Sequence, residues 1–401
     1  LVVEKQFIGG VCLNIGCIPS KTLIYTANLY EKLRHAGQYG LKAENVGFDL
    51  KALVARKDQV VKANTGGIEG LFKAHNIETR FGEALVTAPG ILEIEGEKIQ
   101  AESIIIATGG RPAPVPGLEV NGANIITSTE ALNLTELPKR IAVVGAGAVG
   151  AEFACIWNAF GAEVSLIELM PSVLPLADQE LSKRLSVSFK RRGMDVREGT
   201  KVAKVTQTGN SVQLLLEGEK PGTLEVDLVL VAVGFRCNSE VLSPALAIPL
   251  GPRGGIPVNE RMETSVPGIY AIGDVINKTW LAHGASAEGI VAATNATGGN
   301  RRMDYRVVPA CTFTHPELAS VGLTEERARE QGLEIRIGRF PFSTSGRAHA
   351  MSETEGLVKI IGDAHTDEIL GVHILGAEAG ELIAAGALAL SLEATVEDLV
   401  H

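Results

Sequence analysis

Val143-Val-Gly145-Ala-Gly147-Ala-Val-Gly150-Ala-Glu152-Phe-Ala154 decides the fold class of this 401-residue chain. The stretch grows out of a short apolar run, Ile141–Val144, and Glu168 closes the next apolar run 18 residues after Gly150. Strand, glycine turn, helix and terminal acid in that order form a βαβ dinucleotide site. The first glycine permits a tight turn, the second lets backbone approach a pyrophosphate, and the third brings helix against strand. The start of the helix adds partial positive charge for the phosphates. On this reading Gly145, Ala146, Gly147, Ala148, Val149 and Gly150 make the phosphate cradle, and Glu168 accepts from a ribose 2′-hydroxyl. Leu169, Met170 and Pro171 offer no arginine for a 2′-phosphate, so NAD is expected over NADP.

Outward from this unit the texture changes twice. Upstream, Leu1–Lys5 reads as the end of a strand, followed by Gly9-Gly10, a helix around Cys12–Glu31 and a second helical pattern near Leu50–His75. Alternating strands follow over Thr79–Ile99, then a buried strand, Ser103–Ala107, and a proline- and glycine-rich loop. Downstream, Leu224–Val233 and Pro267–Val275 are each expected to be one strand. After Val307, short alternating strands (Ala310–Val321, Ile335–Phe340, Leu357–Ile361, Ile369–Leu375) are expected with helices at Glu325–Gln331 and Glu378–Leu392, an antiparallel α+β pattern.

Composition narrows the class further. With 37 basic and 47 acidic residues the net charge is −10, which argues against a nucleic-acid surface or a polybasic membrane patch. The longest stretch free of charged residues, Gln6–Ser20, has 15 residues, short of the ~20 a spanning helix needs. Glycine is abundant at 45 residues, as tight turns and close backbone approaches require.

Five cysteines are too few and too scattered for a secreted disulfide scaffold. Cys155, Cys237 and Cys311 sit in helix or strand patterns and read as small buried hydrophobes. Cys12 and Cys17, in Gly9-Gly-Val-Cys12-Leu-Asn-Ile-Gly-Cys17-Ile-Pro-Ser-Lys21, are different. Residues five apart in a regular helix have Cα atoms about 8.7 Å apart, whereas a disulfide tolerates at most about 6.8 Å. A bond between them needs a distorted turn, which Gly16 and Pro19 permit, and a bond under strain is easily reduced. Two free thiols in a helix remain the alternative; a metal site lacks a second cysteine pair or a histidine at ligand spacing. Glu4 at its strand end reads either as an acceptor for ribose hydroxyls or as a solvated acid, and Asp274 follows a strand and a glycine where α/β ligands bind, a pattern that a plain turn also gives.

These pieces together resemble the FAD-dependent pyridine nucleotide-disulfide oxidoreductases, the two-dinucleotide flavoprotein disulfide reductases, and among them the branch that oxidises dihydrolipoamide. The resemblance covers essentially the whole chain. Besides the cysteine segment and the glycine fingerprint, it is carried by Ala107-Thr-Gly-Gly-Arg-Pro, Ala271-Ile-Gly-Asp274, Leu281-Ala-His, Thr314-His-Pro-Glu-Leu-Ala-Ser-Val-Gly-Leu-Thr-Glu and Phe340–Arg347. It implies an α/β fold of two Rossmann-like dinucleotide-binding domains plus a C-terminal α+β dimerisation domain. Residues 1–118 and 241–307 would bind FAD, 119–240 NAD, and 308–401 would form the dimer interface.

The resemblance also implies a Cys12–Cys17 redox disulfide, with Cys12 exchanging with substrate and Cys17 nearest the flavin. Lys21 would lie by the reactive flavin nitrogen, paired with Glu152. Glu4, Ala84, Gly109, Asp274 and Ala282 would hold FAD; Val202 and Gly234 would join the glycine turn and Glu168 around NAD. Expected partners are a second copy of the chain and the lipoyl-bearing acyltransferase core of 2-oxo-acid dehydrogenase complexes, in a bacterial cytoplasm or an organelle. The flavin glycine loop is expected upstream of Leu1 and the acid/base histidine beyond residue 401, so His401 is not assigned as the base. Cys237 and Gly284 stand where proline and lysine are frequent in relatives. Mercuric reductase, another disulfide reductase, or a flavin-free, non-catalytic fragment are the alternatives.

Overall fold

The computed structural model describes residues 1–209 and 211–401. They form two compact units: Leu1–Pro19, Arg56–Ala113 and Gly234–Asp304 in the first, and Ser20–Ala55, Pro114–Val233 and Tyr305–His401 in the second. Among the described residues no helix is long and apolar enough to cross a membrane.

The second unit holds a five-stranded parallel sheet in the order Asp195–Arg197, Glu163–Ile167, Arg140–Val144, Leu228–Val231, Ile125–Ile126. Its central strands are covered on both faces, which explains their unbroken apolar sequence: Ile141, Ala142 and Val143 are all fully buried. The helix Ala148–Ala159 links two neighbouring strands as a βαβ crossover. The expected single strand over Leu224–Val233 is instead two. Gly222–Val226 is the edge of a three-stranded antiparallel sheet, and Leu228–Val231 enters the parallel one. Asp227 causes the division. Its carboxylate accepts the Arg140 backbone N–H at 2.9 Å and a guanidinium N–H of the same residue at 2.7 Å, so the chain turns there to reach the head of the central strand.

A further helix, Gln179–Arg191, carries Leu181, Leu185 and Phe189 into the core at a spacing of four. Asp178 caps it, accepting from the backbone N–H groups of Glu180 and Leu181.

Residues of the last third form an antiparallel sheet in the order Ala310–Thr312, Glu317–Gly322, Ile369–Gly376, Leu357–Asp363, Ile335–Pro341. The helix Ala379–Ser391 packs on it through Ala379, Ile383, Ala389 and Leu390. The strand expected over Ala310–Val321 breaks at Phe313–Pro316, where proline supplies no ladder N–H. Lys359, fully buried on strand Leu357–Asp363, extends to Asp178 at 2.8 Å and to Glu325 at 2.8 Å. Burial works against its charge, but hydrogen bonds to these two carboxylates hold its pKa above the usual lysine value.

In the first unit, Val2–Glu4 pairs in parallel with Thr79–Phe81, and Ile104–Ile106 with Ile269–Ala271. Ala84–Ala88, Ile91–Ile94 and Glu97–Gln100 make an antiparallel meander. The expected helix over Cys12–Glu31 is two helices, Gly10–Ile15 and Cys17–Arg34, separated by Gly16 at φ −135°, ψ −112°. A Cβ on Gly16 would lie 2.9 Å from the Val11 carbonyl oxygen, so the break needs glycine. The strand expected over Pro267–Val275 stops at Ala271 and gives way to a 3₁₀ turn, Gly273–Ile276, because the Gly273 N–H is taken by a side chain, Glu288, rather than by a neighbouring strand.

Removing Lys359 strands a fully buried carboxylate. Lys359→Met is expected to cost about 3–5 kcal/mol of unfolding free energy in urea titration; a loss below ~1 kcal/mol would show that the pair is not held as described.

Candidate functional site

Cys12 and Cys17 form a disulfide with Cα atoms 4.6 Å apart. That separation lies within disulfide reach and far inside the helical value for residues five apart. The break at Gly16 therefore makes the bond possible, and free thiols in a continuous helix are excluded. Both cysteines are half-buried. Asn14, between them, donates to the carbonyls of Ile8 at 3.0 Å and Gly10 at 2.9 Å and ties the segment to the preceding loop.

The other thiols are chemically quiet. Burial pushes Cys155 and Cys311 up to about 12. Burial, then the charge of Asp274, also raises Cys237, whose thiol donates to the Asp274 carbonyl at 3.2 Å. Thiols of this kind are poor nucleophiles at neutral pH.

The first unit also holds the residues expected at a flavin. Glu4 ends its strand and accepts from the N–H groups of Gln6 and Phe7 through Oε1 alone. Asp274 sits in the 3₁₀ turn Gly273–Ile276 with no hydrogen-bond partner for its carboxylate among the described residues. Burial raises its pKa above the ordinary 3.8. Ala282 opens the 15-residue helix Ala282–Ala296, whose start has no side-chain cap. Gly109 lies just before the strand Gly110–Pro112 and accepts from Asn238, and Ala84 starts the meander opposite Ile94. An unpartnered, partly buried carboxylate and an uncapped helix start suit a group that carries hydroxyls and phosphates, as a flavin dinucleotide does.

In the second unit the glycine turn is built around close approaches. A Cβ on Gly145, at φ +101°, would lie 2.4 Å from the Ala232 carbonyl oxygen, and one on Gly150 1.9 Å from that of Gly145. Gly147 caps the helix without a side chain, with Ala148 and Val149 in its first turn. Glu168 is buried; its Oε2 accepts the Ala146 N–H at 2.6 Å and its Oε1 the Met170 N–H at 2.8 Å. The acid is thus fastened to the turn it serves, and the cradle fits a dinucleotide pyrophosphate and ribose. Val202 lies on the antiparallel strand Thr200–Thr208, packed on the core beneath the parallel sheet. Gly234, at φ +114°, belongs to the first unit and accepts from the Ala113 N–H.

Lys21, one turn along the helix that Cys17 opens, binds both oxygens of Glu152 at 2.9 Å. Glu152 is almost completely buried on the dinucleotide helix. Sequence reasoning paired these two residues but missed a third, Phe313. Its backbone N–H donates to Glu152 Oε1 at 3.0 Å, and its ring lies 4.9 Å from the Lys21 ammonium. Nothing local marks Phe313, which lies 161 residues from Glu152.

Family models for pyridine nucleotide-disulphide oxidoreductase and for its dimerisation domain match residues 1–289 and 308–401. Dihydrolipoyl dehydrogenase of Thermus scotoductus is 47% identical, across all of this chain and 87% of the relative. The mitochondrial dihydrolipoyl dehydrogenase of Pisum sativum is 40% identical, across all of this chain and 82% of its own length. Among solved structures, LpdA of Mycobacterium tuberculosis superposes with a TM-score of 0.91 at 28% identity, over 99% of this chain and 88% of that one. The HOCl-induced flavoprotein disulfide reductase RclA of Escherichia coli gives 0.84 at 28%, over 98% and 88%.

The burial of Asp274 has a measurable consequence. Its folded pKa lies above the unfolded one, so the native state binds more protons between the two values and stability falls as pH rises through them. The penalty is fully present above the folded value and absent below the ordinary 3.8. Asp274→Asn is therefore expected to raise the denaturant midpoint of flavin-free protein at pH 7 and to lose that advantage below pH 3.8. An unchanged midpoint at pH 7 would mean the carboxylate is solvated.

Proposed function

The chain belongs to the pyridine nucleotide-disulphide oxidoreductase family, and we propose that within it the protein is an NAD-dependent dihydrolipoyl dehydrogenase. The observation that carries this reading is the Cys12–Cys17 disulfide in one chain with a glycine turn fastened to Glu168. Residues 1–118 and 241–307 form the flavin domain in this proposal, 119–240 the NAD domain, and 308–401 the interface of a homodimer.

The chemistry starts at sulfur. One thiolate of dihydrolipoamide attacks Cys12 Sγ, the Cys12–Cys17 bond breaks, and Cys17 leaves as thiolate. The second substrate thiolate then attacks the substrate sulfur of the mixed disulfide, forming cyclic lipoamide and releasing Cys12 as thiolate. The substrate loses two electrons and two protons: the cysteine pair gains the electrons, one proton travels on with them in the hydride that reaches NAD, and the other passes to water. Bound FAD supplies a relay of that electron pair, as hydride, to NAD.

The protein's other residues hold the parts in place. Asp274, Glu4 and the helix start at Ala282 hold the flavin, with Ala84 and Gly109 acting through backbone. Lys21 is held as a fixed positive charge by Glu152 and Phe313. Gly145 to Gly150 take the NAD pyrophosphate and Glu168 its adenosine ribose, with Val202 lining the same site. The partner is the lipoyl-bearing acyltransferase core of a 2-oxo-acid dehydrogenase complex, and the compartment is the cytoplasm.

Cys12→Ser is expected to abolish dihydrolipoamide oxidation while FAD stays bound, read by steady-state turnover beside the flavin absorbance; surviving turnover removes Cys12 from its role. NADP is expected to be used at least roughly a hundredfold less efficiently than NAD, since Glu168 repels a 2′-phosphate. Comparable kcat/KM for the two nucleotides would refute the assignment of Glu168.

A further inference from the structure

Glu288 is a carboxylic acid with no solvent exposure, in the middle of the helix Ala282–Ala296. A buried acid persists only where its oxygens are bonded. Its Oε2 accepts the backbone N–H of Gly273 at 2.6 Å. Gly273 begins the 3₁₀ turn that carries Asp274, and its φ of +72° is open mainly to glycine. The Asp274 carbonyl, in turn, receives the Asn277 N–H at 3.0 Å and the Cys237 thiol at 3.2 Å. The main chain is thus tied on both sides of the Asp274 side chain, whose own carboxylate is left unpartnered.

One hydrogen bond therefore joins two separate segments: the turn bearing Asp274 and the helix that starts at Ala282. We infer that Glu288 is a positioning residue for the flavin. By holding the Gly273–Asp274 turn against the helix, it fixes the Asp274 carboxylate for the hydroxyls of the FAD chain, without touching the cofactor. The inference rests on the reading of Asp274 as a FAD ligand. Glu288 acts from behind that ligand, because it is fully covered by the protein's own atoms.

The test compares Glu288→Leu, Glu288→Gln and Asp274→Ala in the full chain, with FAD dissociation constants measured by flavin fluorescence. Glu288→Leu leaves the Gly273 N–H unsatisfied and is expected to weaken FAD binding about tenfold or more. Glu288→Gln, whose amide oxygen still accepts, is expected to stay near wild type. NADH binding at the Gly145–Gly150 turn serves as the folding control and is expected to be unchanged in both. Amide hydrogen exchange needs no variant: the Gly273 N–H is expected to be protected in wild-type protein before FAD is added.

Wild-type FAD affinity in a folded Glu288→Leu, or an unprotected Gly273 amide in the flavin-free protein, overturns the role of Glu288. If Asp274→Ala alone loses affinity, the flavin reading stands and Glu288 falls. If Asp274→Ala binds FAD as wild type does, the reading of Asp274 itself falls.

Discussion

A regular helix cannot bring two residues five apart into disulfide contact, and this constraint shapes the redox segment. Gly16 breaks the helix at a place where a side chain would strike the preceding turn, and the chain restarts at Cys17. The same restart places Lys21 one turn further on, where Glu152 and Phe313 hold it. The helix that presents a sulfur thus also presents a fixed cation, and neither depends on a flexible loop.

The dinucleotide turn obeys a parallel rule of close approach. Carbonyl oxygens fill the spaces that side chains at Gly145 and Gly150 would need. The two oxygens of Glu168 hold the N–H groups of Ala146 and Met170, so the end of one strand is bonded to the loop after another. On the proposed function, nucleotide specificity and local architecture share this one carboxylate.

The parts of this molecule legible in the sequence are those encoded locally. The glycine turn, its strand and helix, the acid at the next strand end and the cysteine pair all fall within short windows, where spacing maps directly onto geometry. The antiparallel pattern of the last third was legible for the same reason, as alternation along the start of Ile335–Pro341. What escaped reading depends on partners distant in sequence. Asp227 splits an apolar run because it binds Arg140, 87 residues away. Phe313 joins the Lys21–Glu152 pair through a backbone N–H, a group every residue but proline carries. Asp178 looks like an ordinary helix cap until Lys359, from a strand 181 residues later, is seen against it. Composition and periodicity carry no record of such meetings.

Three of the five cysteines are kept out of redox traffic by their surroundings. With Cys155 and Cys311 un-ionised far above neutral pH and the Cys237 thiol, itself raised by burial, donating a hydrogen bond to a carbonyl, none offers a ready thiolate to compete with the working pair. Electrons that enter as a sulfur pair therefore meet no internal thiol able to shuffle the bond into a wrong partnership. The protein can cycle between its oxidised and reduced forms without the scrambling that a dithiol enzyme with accessible spare cysteines must guard against.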